Sequence, residues 1–149
     1  MPERNQILLV EDNEGDEALT LRALHKNGIS DPIYVVRDGV EALDYLMARN
    51  AYIGAPLPKV VLLDLNLPKL SGFEVLRTLR LSSRTISLPV VVLSSSQEDR
   101  DLAEAYALGA NSYVVKPVDF KQFSETVRQV GSYWLNLNQR APVPTQASP

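Results

Sequence analysis

Residues 60–68, Val60-Val61-Leu62-Leu63-Asp64-Leu65-Asn66-Leu67-Pro68, decide the fold. Four apolar residues in a row, two of them β-branched, show no polar alternation, the pattern of a strand covered by helices on both faces. The run stops on an acid, and Asn66 and Pro68 bring turn chemistry immediately after it. Comparable runs stand on either side: Ile7-Leu8-Leu9-Val10, Ile33-Tyr34-Val35-Val36, Val90-Val91-Val92-Leu93 and Ser112-Tyr113-Val114-Val115. Helix-like segments separate them, and this alternation predicts βαβ units and a parallel sheet. The first, third and fourth runs are uniformly apolar and suit the centre of the sheet. The second and fifth are more mixed and suit its edges.

Helix boundaries are also signalled. Asp38 with Glu41, Ser71 with Glu74, Ser96 with Asp99 and Asp119 with Gln122 each set a capping side chain three residues before an acid or amide. Gly28 and Gly109 follow apolar-periodic stretches, where a left-handed helix cap favours glycine. Phe120, Phe123, Val127, Val130 and Trp134 trace one stripe at helical spacing, read as core packing. About five right-handed βα units predict a single α/β domain, a flavodoxin-like doubly wound five-stranded parallel sheet of strand order 2-1-3-4-5, spanning residues 1–135. Two segments fall outside the scheme: the loop Asn50 to Lys59, with Gly54, Pro56 and Pro58, and residues 136–149, expected to be a disordered tail.

Composition narrows the function classes. The 149 residues contain no cysteine, which excludes thiol catalysis, cysteine-ligated zinc and iron–sulfur clusters. Fifteen Lys and Arg against eighteen Asp and Glu leave a net charge of −3, without the basic excess that direct nucleic-acid binding requires. The apolar stretch Ile7 to Val10 is too short for a signal peptide or a membrane span, so a cytoplasmic location is expected.

In a doubly wound sheet, ligands bind beyond the carboxyl ends of the strands, where strand order reverses. The residues at those ends are Glu11-Asp12, Asp38, Asp64, Ser94-Ser95-Ser96 and Lys116-Pro117. Taken singly they have ordinary explanations: acids favour helix N-termini, Asp64 fits a turn, serines fill loops, and a lysine is usually solvated. If strands one, three, four and five lie side by side in the flavodoxin-like order, three carboxylates, a hydroxyl and an ammonium converge on one crevice, a joint occurrence that the single explanations do not cover. Three carboxylates that close cannot all stay ionised unless a cation or proton relieves them. A hard divalent ion with oxygen ligands is the natural relief, and Mg²⁺ suits such a donor set.

This constellation resembles the receiver domain of two-component response regulators. It carries Glu11-Asp12 after strand one, Asp64 after strand three, Gly72 after the following loop, Ser94 after strand four and Lys116-Pro117 after strand five. The spacings agree, with 30 residues from Asp64 to Ser94 and 22 from Ser94 to Lys116. The resemblance covers about residues 5 to 132. Within the family, Val10-Glu11-Asp12-Asn13-Glu14-Gly15-Asp16, the proline-containing insertion before strand three, the segment Asp64 to Lys69 and Tyr133-Trp134-Leu135 look like small cyanobacterial regulators paired with phytochrome histidine kinases.

The resemblance implies a role for each residue. Asp64 would be the phosphoacceptor for a sensor histidine kinase of phytochrome type. Asp12 and Asp64 would ligate Mg²⁺ through carboxylates and Asn66 through its backbone carbonyl, with Glu11 ligating directly or through water. Glu11 stands where many receivers have Asp. Lys116 would pair with the phosphoryl group, Ser94 would move to donate to it, and Tyr113 would turn inward as the switch aromatic. The family has a cis peptide at this position, so a cis Lys116–Pro117 bond is expected. The implied protein is a stand-alone regulator, not an enzyme beyond weak self-catalysed phosphotransfer and dephosphorylation. Its output surface would be the helix 4–strand 5–helix 5 face, also the expected homodimer contact. A Mg²⁺-dependent phosphohydrolase is the alternative, but the Asp-x-Asp motif it would carry on strand one is absent, and position 66 is Asn. A flavin carrier on this fold would need a phosphate loop where the acids 11–14 would repel phosphate. His25, the single histidine, is read as a surface residue.

Overall fold

Each apolar run forms a strand. The computed structural model describes residues 7–26 and 32–142. They form β1 (Ile7–Val10), α1 (Glu14–Lys26), β2 (Ile33–Val36), α2 (Gly39–Leu46), a 3₁₀ turn at Asn50–Tyr52, β3 (Val60–Leu63), α3 (Gly72–Leu79), β4 (Val90–Ser94), α4 (Asp99–Ala107), β5 (Ser112–Val115) and α5 (Phe120–Ser132). The strands are parallel in the order β2-β1-β3-β4-β5, the predicted doubly wound sheet. Ile7 is level with Ile33 on one side and Val60 on the other. β1, β3 and β4 are buried along their whole length, while β2 and β5 are partly exposed.

Strand periodicity divides the core between two faces. Leu8, Val10, Val61, Leu63, Val90 and Val92 pack with α2 and α3. Ile7, Leu9, Val60, Leu62 and Val91 pack with Ala23 and Leu24 of α1 and with Phe123 and Val127 of α5. Both faces are covered, which is why the central runs contain no polar residue.

Three of the four predicted caps form. Asp38 accepts from the Glu41 amide at 2.7 Å, Ser71 from Glu74 at 3.4 Å, and Asp119 from Lys121 and Gln122. The fourth does not. α4 begins at Asp99 behind Glu98, which makes no side-chain capping bond. Ser96 instead donates its hydroxyl to Asp101 and gives its amide to Ser94 Oγ. Gly109 takes the expected left-handed conformation, with φ 106°, whereas Gly28 lies outside the described residues. Of the α5 stripe, Phe123 and Val127 are core, but Phe120 is 41% exposed and lies beneath the Arg22 guanidinium at 5.6 Å. His25 is exposed, as read.

The 50–59 loop is tied down by aromatics. Tyr52 stacks edge-on against Tyr34 and Tyr45 and donates its hydroxyl to Glu41 at 2.5 Å. The chain keeps a defined course past residue 135: a π turn runs over Tyr133–Leu137, and Arg140, Ala141 and Pro142 line a small apolar cavity against Leu57, Pro58 and Leu88. Residues 143–149 of the expected tail, and the N-terminal residues 1–6, lie outside the described residues. Among the described residues no helix is long and apolar enough to cross a membrane.

Candidate functional site

Main-chain hydrogen bonds continue one residue past the strands and bring the site together. The Glu11 amide donates to Val36 O at 3.0 Å, the Asp64 amide to Val10 O at 3.0 Å, and the Lys116 amide to Ser94 O at 2.7 Å. Glu11, Asp64 and Lys116, far apart in sequence, are thereby held at one end of the sheet. α3 approaches closely because residue 72 has no side chain: a Cβ there would fall 2.5 Å from the Asp64 carbonyl oxygen and 2.7 Å from Leu65 Cα.

Glu11 is 1% exposed and Asp64 7%, while Asp12 is open to solvent. Their carboxylates each offer an oxygen within 4.8 Å of the others. The Asn66 amide donates to Asp64 Oδ1 at 3.2 Å, and the Asn13 amide to Glu11 Oε2 at 3.2 Å. Lys116 enters from β5 with its side chain only 9% exposed, its Nζ lying 2.8 Å from Glu11 Oε1, 2.7 Å from Asp16 Oδ2 and 3.5 Å from Asp64 Oδ2. An open cleft of about 570 Å³ lies over these groups, with Asp12, Asp16, Asp64, Asn66, Ser95 and Lys116 in its wall.

The electrostatics follow from crowding. Burial first, then the neighbouring Asp64 carboxylate, push the Glu11 carboxyl up to about 7, against the pull of Lys116. Burial alone would depress the Lys116 ammonium, but hydrogen bonds to Asp16 and Glu11 and the Asp64 charge outweigh it and hold the group above its usual value. The site is therefore one strongly held cation among four acids, one of which resists ionisation. Oxygen donors of this kind fit a hard divalent ion. Carboxylates of Glu11, Asp12 and Asp64 are placed to share one.

Ser94 is fully buried, and its Oγ accepts from the Ser96 amide at 3.1 Å. Ser95, not Ser94, lines the cleft. Tyr113 is partly buried; its hydroxyl donates to Ser96 O at 3.0 Å and its amide to Tyr106 Oη at 3.1 Å. Thus Ser94 and Tyr113 meet at one residue, Ser96.

One expectation is corrected. The described residues contain no cis peptide bond, so Lys116–Pro117 is trans. Trans is the intrinsically favoured isomer of an X–Pro bond, and from it the lysine still reaches the carboxylates. One residue was missed: Asp16. Its signal was available, since it lies in the first turn of the helix that begins at the same sheet end, three residues after the capping Asn13. An acid there reads equally well as a helix-dipole residue, and its contact with Lys116 spans 100 residues of sequence.

The chain belongs to the response regulator receiver domain family, whose model matches residues 7–128. It is similar to the "Probable methanogenesis regulatory protein FilR2" of Methanothrix harundinacea, 46% identical over 138 residues that cover 93% of this chain and 88% of that protein. Among solved structures, the phosphorylated cyanobacterial phytochrome response regulator RcpA superposes with a TM-score of 0.88 at 36% identity, covering 93% of this chain and 99% of that one. The Mn²⁺-bound form of response regulator Rcp1 follows at 0.86 and 34%, covering 95% and 100%. The chain is thus a receiver of the response-regulator class, with phytochrome-linked relatives and an acidic group of the kind that holds a divalent ion in such domains.

Proposed function

We propose that Asp64 accepts a phosphoryl group from a histidine of a sensor kinase, with Mg²⁺ bound beside it. The observation that carries this reading is the set of groups around Asp64: carboxylate oxygens of Glu11 and Asp12 within 4.8 Å, and the Lys116 ammonium 3.5 Å away. In the transfer, an Asp64 oxygen bonds to phosphorus as the phosphorus–nitrogen bond to the kinase imidazole breaks, and the ring nitrogen keeps that electron pair. Little covalent help is needed; position and charge neutralisation do most of the work. A bound Mg²⁺, held by the Glu11, Asp12 and Asp64 carboxylates and the Asn66 carbonyl, would supply charge neutralisation at the transferring oxygens. Lys116, 3.5 Å from Asp64 Oδ2, is near enough to pair with the same oxygens.

The new phosphoryl group brings charge and acceptor oxygens to the crevice. Ser94 gives up the Ser96 amide to donate to it, and Tyr113, bonded to the Ser96 carbonyl, loses its fixed partner. The α4–β5–α5 face then shifts its population toward a second arrangement, by as much as the phosphoryl group prefers that arrangement. That face serves as output surface and as homodimer contact. Self-catalysed phosphotransfer and dephosphorylation are weak. The likeness to RcpA, a phytochrome response regulator, and to the bacteriophytochrome response regulator AtBRR supports a kinase of phytochrome type, and FilR2, described as a probable methanogenesis regulator, makes kinase profiling the direct comparison.

The test uses acetyl phosphate, a small acyl-phosphate donor, with Mg²⁺. Label should appear once per chain, need the divalent ion, and vanish in Asp64→Asn. Continuous multiple-turnover release from varied phosphate esters would overturn the reading in favour of a phosphohydrolase.

A further inference from the structure

Lys116 needs more than a charge to do its work, because an ammonium on a flexible four-carbon stem has no direction of its own and follows its acceptors. Here two of its contacts are short and the third is long: Asp16 at 2.7 Å and Glu11 at 2.8 Å, against Asp64 at 3.5 Å. The two short contacts come from different elements, Glu11 from the end of β1 and Asp16 from α1.

Asp16 is itself well fixed. Its amide donates to Asn13 Oδ1 at 2.9 Å, and its carbonyl accepts from Thr20 Oγ1 at 2.8 Å, so the backbone is held from both sides. The other acids of the same turn do not share its role: Glu17 is bound to Arg37 at 2.8 Å. Asp16 lines the crevice instead, its side chain one-third exposed and its Oδ2 on the buried ammonium.

We propose that Asp16 is a positioning residue for Lys116: with Glu11 it occupies two of the three ammonium donors and keeps the third for Asp64. The inference rests on the reading of Asp64 as acceptor. It assigns Asp16 no place on the divalent ion and no contact with the reacting atoms. A group that only balanced the dipole of α1 would leave the lysine and the reaction untouched when removed.

The experiment compares wild type, Asp16→Asn and Asp16→Glu as full chains, by two readouts. The first is the initial rate of Asp64 labelling by acetyl phosphate at saturating Mg²⁺, with Mg²⁺ affinity titrated separately without donor. The second is hydrogen exchange of the Lys116 ammonium, followed by nitrogen-resolved NMR. Asp16→Asn should slow labelling roughly tenfold, the scale of one lost charge-assisted hydrogen bond. It should also remove the exchange protection of the ammonium and leave Mg²⁺ affinity within about twofold of wild type. Asp16→Glu should restore most of the rate. A labelled wild type beside an unaffected Asp16→Asn overturns this inference alone, as does slowing matched by an equal loss of Mg²⁺ affinity. A wild type that takes no label overturns the acceptor reading and this inference with it.

Discussion

Glu11 is the residue at which folding and function oppose each other most directly. Its carboxyl is 1% exposed, and burial together with Asp64 raises it from 4.5 to about 7. Between those values the folded chain holds a proton that the unfolded chain has released. Folding therefore loses stability as pH rises from about 4.5 to about 7, and the loss is complete above that window. Thermal unfolding without divalent ion should show this decline in the difference between wild type and Glu11→Gln, a variant that cannot titrate at this position. Added Mg²⁺ should stabilise the wild type more at pH 8 than at pH 5.5, because a carboxyl must ionise before it can ligate. Equal Mg²⁺ increments at both pH values would count against Glu11 as part of the cation site. Gly72 makes a steric demand at the same spot. A Cβ placed 2.5 Å from one backbone atom and 2.7 Å from another meets nothing that can rotate away. Gly72→Ala should cost about 1–3 kcal/mol or more in urea denaturation, and should slow Asp64 labelling, because the strained loop is the one that carries Asp64.

At the scale of elements, α4 is the least committed helix. Of its nine residues only Ala105 is buried, and its N-terminus lacks a side-chain cap. Just past its C-terminal end the Arg80 guanidinium donates to Gly109 O and Asn111 Oδ1, tying them to Thr85 O and Ile86 O of the loop before β4. Asn111 Oδ1 in turn accepts from the Val90 amide at the start of β4. Arg80→Met would leave several partly buried acceptors without donors and should lower unfolding free energy by about 2 kcal/mol or more. In wild type, α4 amides should exchange faster than those of α5, whose apolar face is packed on the sheet. Uniform protection across both helices would contradict this. The same region shows where sequence reading ended. The strands, three caps and the Glu11, Asp12, Asp64 and Lys116 group were legible, because strand burial and capping are local patterns and the strand order then fixes which ends meet. The start of α4 was not. Ser96 satisfied the capping rule, but its carbonyl is taken by Tyr113, 17 residues away, and its hydroxyl by Asp101. Asp16 and Arg80 were missed for the same reason: their partners lie 100 and 29 residues distant.

The whole molecule has two chemically distinct ends. The carboxyl ends of the strands carry the acids and Lys116, while the opposite end is closed by the loops before β3 and β4 and by the chain after α5. Leu135, 7% exposed, packs with Phe123 and Val127 and belongs to the core, whereas Tyr133 and Leu137 are 48% and 68% exposed. Beyond them Arg140, Ala141 and Pro142 wall the cavity beside Leu57 and Leu88, so the folded unit extends past 135 at least to 142 among the described residues. Two truncations separate these contributions. Ending the chain after Ser132 removes Leu135 and Trp134 from the α1–α5 face and should destabilise by about 2–5 kcal/mol, the range for losing a buried leucine. Ending it after Leu137 keeps that packing and, among the described residues, gives up the Arg140–Pro142 cavity wall and the Asn138 amide bond to Tyr133 O, so the loss should be clearly smaller. Neither cut removes a described residue that lines the acidic cleft. The 137-residue chain, being folded, should therefore take acetyl-phosphate label at Asp64 at the wild-type rate. A labelling rate that fell with this truncation would mean that the two ends communicate through α5, a coupling that the separate packing of the two sheet faces does not predict.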